Sequence, residues 1–207
     1  MKVIEYGNRN AAVVLIQPIG DHDLSYLENE ISLIREKAKT DFRFIAFKVD
    51  DWNKDLSPWK APAVFGKEDF GDGAYDTLNE IISLCNDKTK TYLIGGYSLA
   101  GLFALWASYQ TDIFMGVAAA SPSMWFHEFT EYMKENENRS DYVYLSLGNK
   151  EEKTRNPIMA TVGDRMKTAY EILQEQGKDC VFEWNEGNHF KDADIRTAKG
   201  FLWVLDR

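Results

Sequence analysis

The run Tyr92-Leu93-Ile94-Gly95-Gly96-Tyr97-Ser98-Leu99-Ala100-Gly101-Leu102 puts a serine where an apolar β-type segment meets an apolar helical one. Small residues flank it at a spacing of two, Gly96 before and Ala100 after. A strand can turn into a helix about a single residue only if those flanking positions approach each other closely, and the hydroxyl at the apex then stands clear of the backbone. Such a nucleophile elbow presents a serine for attack on a carbonyl. Glycine is the usual residue at the later small position; here Ala100 adds one methyl group and Gly101 follows at once. A Walker loop needs a lysine followed by Ser or Thr, and a dinucleotide fingerprint needs G-x-G-x-x-G. The run contains neither, so a phosphate cradle is the weaker reading.

A serine hydroxyl attacks only when a neighbouring base takes its proton. The chain holds three histidines, His22, His127 and His189. His189 lies in Glu186-Gly187-Asn188-His189-Phe190, the last strand-to-helix connection, at the sheet edge where α/β proteins bind ligands, and is the predicted base. His22 stands at the entry to the first long helix and His127 follows Ser121-Pro122-Ser123-Met124-Trp125-Phe126; both read as solvent-facing or pocket-lining. The imidazole needs an acid to fix its tautomer, placed in chain order between serine and histidine. The segment Gly148-Asn149-Lys150-Glu151-Glu152-Lys153 follows a strand and offers Glu151, with Glu152 as the alternative; beside Lys150 and Lys153 either could be a solvated charge. An oxyanion would be met by the N–H of Leu99 at a helix start. Its second donor is expected in Pro18-Ile19-Gly20-Asp21-His22, where Pro18 has no N–H and Ile19 or Gly20 is the candidate.

These residues need a frame. Strand-type runs are expected over 2–6, 12–17, 42–47, 91–94, 116–120, 142–147 and 180–184, mostly continuous in apolar residues as for strands covered on both faces. Helical spacing links Leu24, Leu27, Ile31, Ile34 and Ala38; Ala74, Leu78, Ile81 and Cys85; Met159, Val162, Met166, Ala169 and Leu173; and Ile195, Ala198, Leu202 and Leu205. Leu99 to Trp106 has no polar face and should be the most buried helix. The alternation predicts an α/β fold, a mostly parallel central sheet with helices on both faces, in one domain over 1–207. The connection from Val49 to Gly71 is unusually long and carries two tryptophans, so it reads as a packed flap or a pocket wall. Trp52, Trp59, Met124, Trp125 and Phe126 are substrate-pocket candidates, with core packing the competing role.

The chain has 207 residues, 24 Lys plus Arg against 33 Asp plus Glu, and a formal charge of −9. That field disfavours nucleic acid and anionic membrane surfaces as partners. No apolar run approaches the ~20 residues of a membrane span. The N-terminal residues lack a secretory signal pattern, from which a cytoplasmic location is expected. Cys85 and Cys180 lie in apolar segments without metal-ligand spacing and read as buried free thiols.

Through Gly96 to Ala104, Ala120-Ser121-Pro122-Ser123-Met124-Trp125 and Gly187-Asn188-His189-Phe190, the chain resembles the α/β-hydrolase superfamily. Within it, the similarity is to the esterase group that includes enterochelin esterase and esterase D. The resemblance implies a minimal α/β-hydrolase fold and acyl-ester hydrolysis by a serine nucleophile, with no metal or organic cofactor. A small soluble ester is the expected substrate, a thioester or peptide the alternative; a non-catalytic ligand-binding protein of the same fold is the competing class. Homo-oligomers are compatible with the sequence.

Overall fold

The computed structural model describes residues 2–207. The first elements are β1 (Lys2–Gly7), β2 (Val13–Ile19), α1 (Leu24–Lys37) and β3 (Phe42–Lys48). A one-turn helix α2 (Trp52–Asp55) and α3 (Ala74–Leu84) lead to β4 (Thr91–Tyr97), α4 (Leu99–Gln110) and β5 (Phe114–Ala120). After α5 (Phe129–Glu135) come β6 (Tyr142–Gly148), α6 (Val162–Glu175), β7 (Asp179–Asn185) and α7 (Ala193–Leu205). The strands form one sheet in the order β1-β3-β2-β4-β5-β6-β7. Only β1 runs antiparallel to its neighbour; every other pairing is parallel. The carboxyl ends of β2, β4, β5, β6 and β7 therefore share one rim, and the loops leaving them converge there.

Side chains alternate across the sheet, and both sets are apolar. Val14, Ile16 and Ile94 pack with α3, α4 and α6 on one face, while Leu15, Ile19 and Leu93 pack with α1 and α7 on the other. α4 is buried on all sides from Leu99 to Tyr109, which explains its missing polar face. β7 is only partly covered, as befits an edge strand.

Two differences from the sequence reading are physical, and of the two readings of the long connection the packed flap is the one observed. α7 buries Ala198 and Leu205 as the spacing predicts, but Arg196, Thr197, Gly200, Phe201 and Val204 are buried with them, while Leu202 is partly covered and Ile195 is half exposed. Cys85 and Cys180 are free but only partly buried; burial still pushes the Cys85 thiol up to about 12. The long connection is packed rather than open. Asp51 caps α2 by accepting from Lys54 N–H, Ala61 pairs with Phe70, and Leu56 and Phe70 enter the core.

Beneath the rim, Glu30 of α1 is 4% exposed and its one hydrogen bond comes from the Gln17 amide at 3.4 Å. Burial raises its carboxyl well above the usual range, and the nearby charges of Asp23 and Asp194 push the same way. A carboxyl raised in the fold contributes stability fully below its unfolded value and loses it as pH climbs through the folded value. Glu30→Gln keeps the shape of the neutral form. Its melting temperature should match the wild type near pH 4 and exceed it at pH 7.5, by about 2–4 °C for each kcal/mol recovered. Equal differences at both pH values in a thermal scan would contradict this assignment.

Candidate active site

Ser98 is the single residue between β4 and α4, and its backbone angles are φ 57° and ψ −121°. A non-glycine residue there is strained, and such strain persists only where its surroundings enforce it. Ser98 N–H donates to Ala120 O, and Ser98 O accepts from Leu102 and Ser123 N–H. The small flanking residues are also required: a Cβ on Gly96 would stand 2.7 Å from that of Ala100. The apex hydroxyl is thereby aimed at the rim.

His189, on the β7–α7 loop, brings its Nε2 to 2.9 Å from Ser98 Oγ. Its Nδ1 lies 2.7 Å from Glu151 Oε2. Four further hydrogen bonds fix this chain of three groups. Tyr97 OH donates to His189 O, and burial, then the charge of Glu151, pushes that phenol up to about 12, so it remains a donor at neutral pH. Asn149 N–H donates to Asn185 O, Lys150 N–H to Gly187 O, and Gly187 N–H to the Asn149 side chain, lacing the acid loop to the histidine loop.

Glu151 and Glu152 part company in a tight turn. Glu151 N–H donates to Gly148 O, and the side chain folds back so that Oε1 accepts from Gly148 N–H at 2.7 Å and Ser121 Oγ at 2.8 Å. Glu152 is exposed and lies against Gly163 of α6, away from His189. The remaining histidines stay at the surface: His22 beside Asp23, and His127 beside Glu128.

The oxyanion donors need one correction. Leu99 N–H, first in α4, has no intrahelical partner. Gly20 N–H, however, donates to Asp23 Oδ2 at 2.8 Å and is already engaged. Ile19 stands in the β2–β3 ladder, where its carbonyl accepts from Val49 N–H. The next amide in that turn is that of Asp21. An Asp three residues after Gly20 was the available signal, since such a side chain can reach back to a turn amide.

The pocket candidates separate. Met124 is fully enclosed in the core, and Phe126 is as deeply buried but forms part of a cavity wall. Trp59 packs on Phe126, Phe129 and Tyr132 and donates from Nε1 to His127 O, tying the flap to α5. Trp52 sets its ring edge-on to His22 beside the Gly20 turn. Trp125 lines a cavity of about 260 Å³ together with Phe70, Phe126, His127, Ile158 and Arg165. Among the described residues no cluster of His, Cys, Asp and Glu has a metal-holding arrangement, and no helix is long and apolar enough to cross a membrane.

A seven-stranded sheet with an elbow serine, a following acid and a last-loop histidine can be compared with solved structures. An IroE-like serine hydrolase from Shewanella oneidensis superimposes with a TM-score of 0.78 at 15% identity, over 99% of this chain and 75% of that one. The chain has the α/β-hydrolase fold. The enterobactin and salmochelin hydrolase IroE shares it with a TM-score of 0.68 at 14% identity, over 99% of this chain and 88% of that protein. The enterobactin esterase FES from Shigella flexneri does so with a TM-score of 0.66 at 14% identity, over 99% of this chain but 55% of its own. No family model matches the chain, and no curated protein matches its sequence. In this α/β-hydrolase fold the shared carboxyl rim carries all three candidate groups.

Proposed function

We propose that the protein is a serine hydrolase that cleaves a small soluble carboxylic ester, with Ser98 as nucleophile, His189 as base and Glu151 as the acid. The relay from Ser98 Oγ through His189 to Glu151, with spans of 2.9 Å and 2.7 Å at a strained elbow, carries the reading. The esterase and hydrolase names of its structural neighbours lend it support.

The proposed reaction has two acyl-transfer steps. Ser98 Oγ attacks the ester carbonyl carbon while His189 Nε2 takes the hydroxyl proton, and Glu151 stabilises the imidazolium through Nδ1. Leu99 N–H and the Asp21 N–H receive the oxyanion. Collapse breaks the bond to the leaving oxygen, which takes the proton from Nε2. Water then attacks the acyl-enzyme by the same route, releasing the acid and restoring Ser98. The cavity lined by Trp125 is apolar but for His127 and Arg165, and none of the three relay residues stands in its wall.

A thioesterase or peptidase would use the same groups, so substrate preference decides among them. Purified protein should cleave p-nitrophenyl acetate and butyrate and leave the matching anilides intact. Faster turnover of anilides or of acyl thioesters in the same assay would reassign the reaction class.

A further inference from the structure

Arg196, in the first turn of α7, is 2% exposed and sits beneath the relay. Its Nη1 lies 3.0 Å from Glu151 Oε1, 3.1 Å from Tyr97 OH and 3.3 Å from Ser121 Oγ; its Nη2 donates to Glu186 O at 2.9 Å. These partners stand at or just beyond the carboxyl ends of four successive strands, β4, β5, β6 and β7. One guanidinium thus touches the strand end that carries Ser98, the loop that carries Glu151 and the loop that carries His189.

The pairing is unlike that of a stability ion pair. Arginine and carboxylate usually meet fork to fork with two parallel hydrogen bonds. Here Arg196 takes only Oε1, which also accepts from Gly148 N–H and Ser121 Oγ, and leaves Oε2 to His189 Nδ1. Arg196 Nε is buried with no hydrogen-bond partner among the described residues, so the guanidinium is held through its two terminal nitrogens. A carboxylate with only 4% of its side chain exposed needs a charge partner to stay ionised. Arginine is cationic at every working pH, whereas an imidazole is so only when protonated.

We propose that Arg196 is a positioning residue for the hydrolytic site: it holds Glu151 as an ionised carboxylate with one oxygen committed to His189, and through Tyr97 OH it fixes the main chain of the histidine loop. The inference rests on the Ser98–His189–Glu151 reading and adds a residue that touches neither substrate nor reacting atoms. Removing the permanent cation takes away the charge at 3.0 Å and leaves His189, among the described residues, as the remaining ion-pair partner of Glu151, so the acid limb of activity is expected to rise.

The test measures kcat, KM and the pH profile for p-nitrophenyl butyrate with Arg196→Met, Arg196→Lys and Tyr97→Phe, alone and on a Glu151→Gln background. Arg196→Met should lower kcat by about 10–100-fold, the range of an outer-layer ligand loss, with KM nearly unchanged. The acid limb of kcat/KM should move up by about one pH unit. Arg196→Lys should restore part of kcat and the position of the acid limb, since it restores the charge but not the full fork. On the Glu151→Gln background the Arg196→Met effect should nearly vanish, because residues acting as one unit are strongly non-additive. If Arg196→Met fails to fold, Arg196→Lys and Tyr97→Phe decide, and each should lower kcat several-fold. Additive losses, or an unmoved acid limb with kcat within twofold of wild type, overturn the positioning role. Fluorophosphonate labelling of the wild type at Ser98 separates this failure from failure of the hydrolase reading, which would remove both.

Discussion

Ser98→Ala should lower kcat on an ester by about 10⁴–10⁶-fold, His189→Ala should cost about as much, and the double variant should fall no further. The hydroxyl and imidazole are joined at 2.9 Å and act in one proton transfer, so removing either removes the step. What remains would come from substrate binding and the oxyanion amides alone. Ser98→Ala keeps the backbone contacts to Ala120, Leu102 and Ser123, so its melting temperature should stay close to wild type. Steady-state kinetics on folded protein checks both parts. A Ser98→Ala variant within tenfold of wild type would place the nucleophile elsewhere.

The second large effect separates neighbouring acids. Glu151→Gln should lower kcat by about 10⁴-fold, while Glu152→Gln stays within about twofold. Gly148 N–H, Ser121 Oγ and Arg196 Nη1 all donate to the Oε1 position. In the Glu151→Gln variant these donors hold the amide oxygen at that position and turn the amide NH₂ toward His189 Nδ1. The imidazole must then accept at Nδ1 and carry its proton on Nε2, where it cannot take one from Ser98. Glu152 at the surface has no such relation to the ring. Comparable losses for both variants, or the reverse order, would move the acid.

Much of this frame could be read in advance because local and global signals agree. A strand buried on both faces and a helix without a polar side leave few ways to accommodate Gly96-Tyr97-Ser98-Leu99-Ala100 other than an elbow. His189 was legible because a parallel sheet sends its last loop to the same rim as the elbow. The choice between Glu151 and Glu152 was not, since it depends on a turn in which one side chain folds back onto Gly148 N–H. Arg196 was missed for a different reason: on an amphipathic terminal helix an arginine reads as solvent face. The buried positions at 196, 197, 198, 200, 201, 204 and 205 form a broader stripe than the apolar spacing alone suggests, because Arg196, Thr197 and Gly200 carry no apolar signal. α5 escaped notice because seven residues give too few turns for a helical period to stand out.

Intact-protein and peptide mass spectrometry after treatment with a fluorophosphonate reads the nucleophile itself. One adduct per chain should form, on the peptide that carries Ser98, and be absent with Ser98→Ala and slow with His189→Ala. A well-folded chain that takes no adduct, or one whose adduct persists with Ser98→Ala, is not a hydrolase working through Ser98.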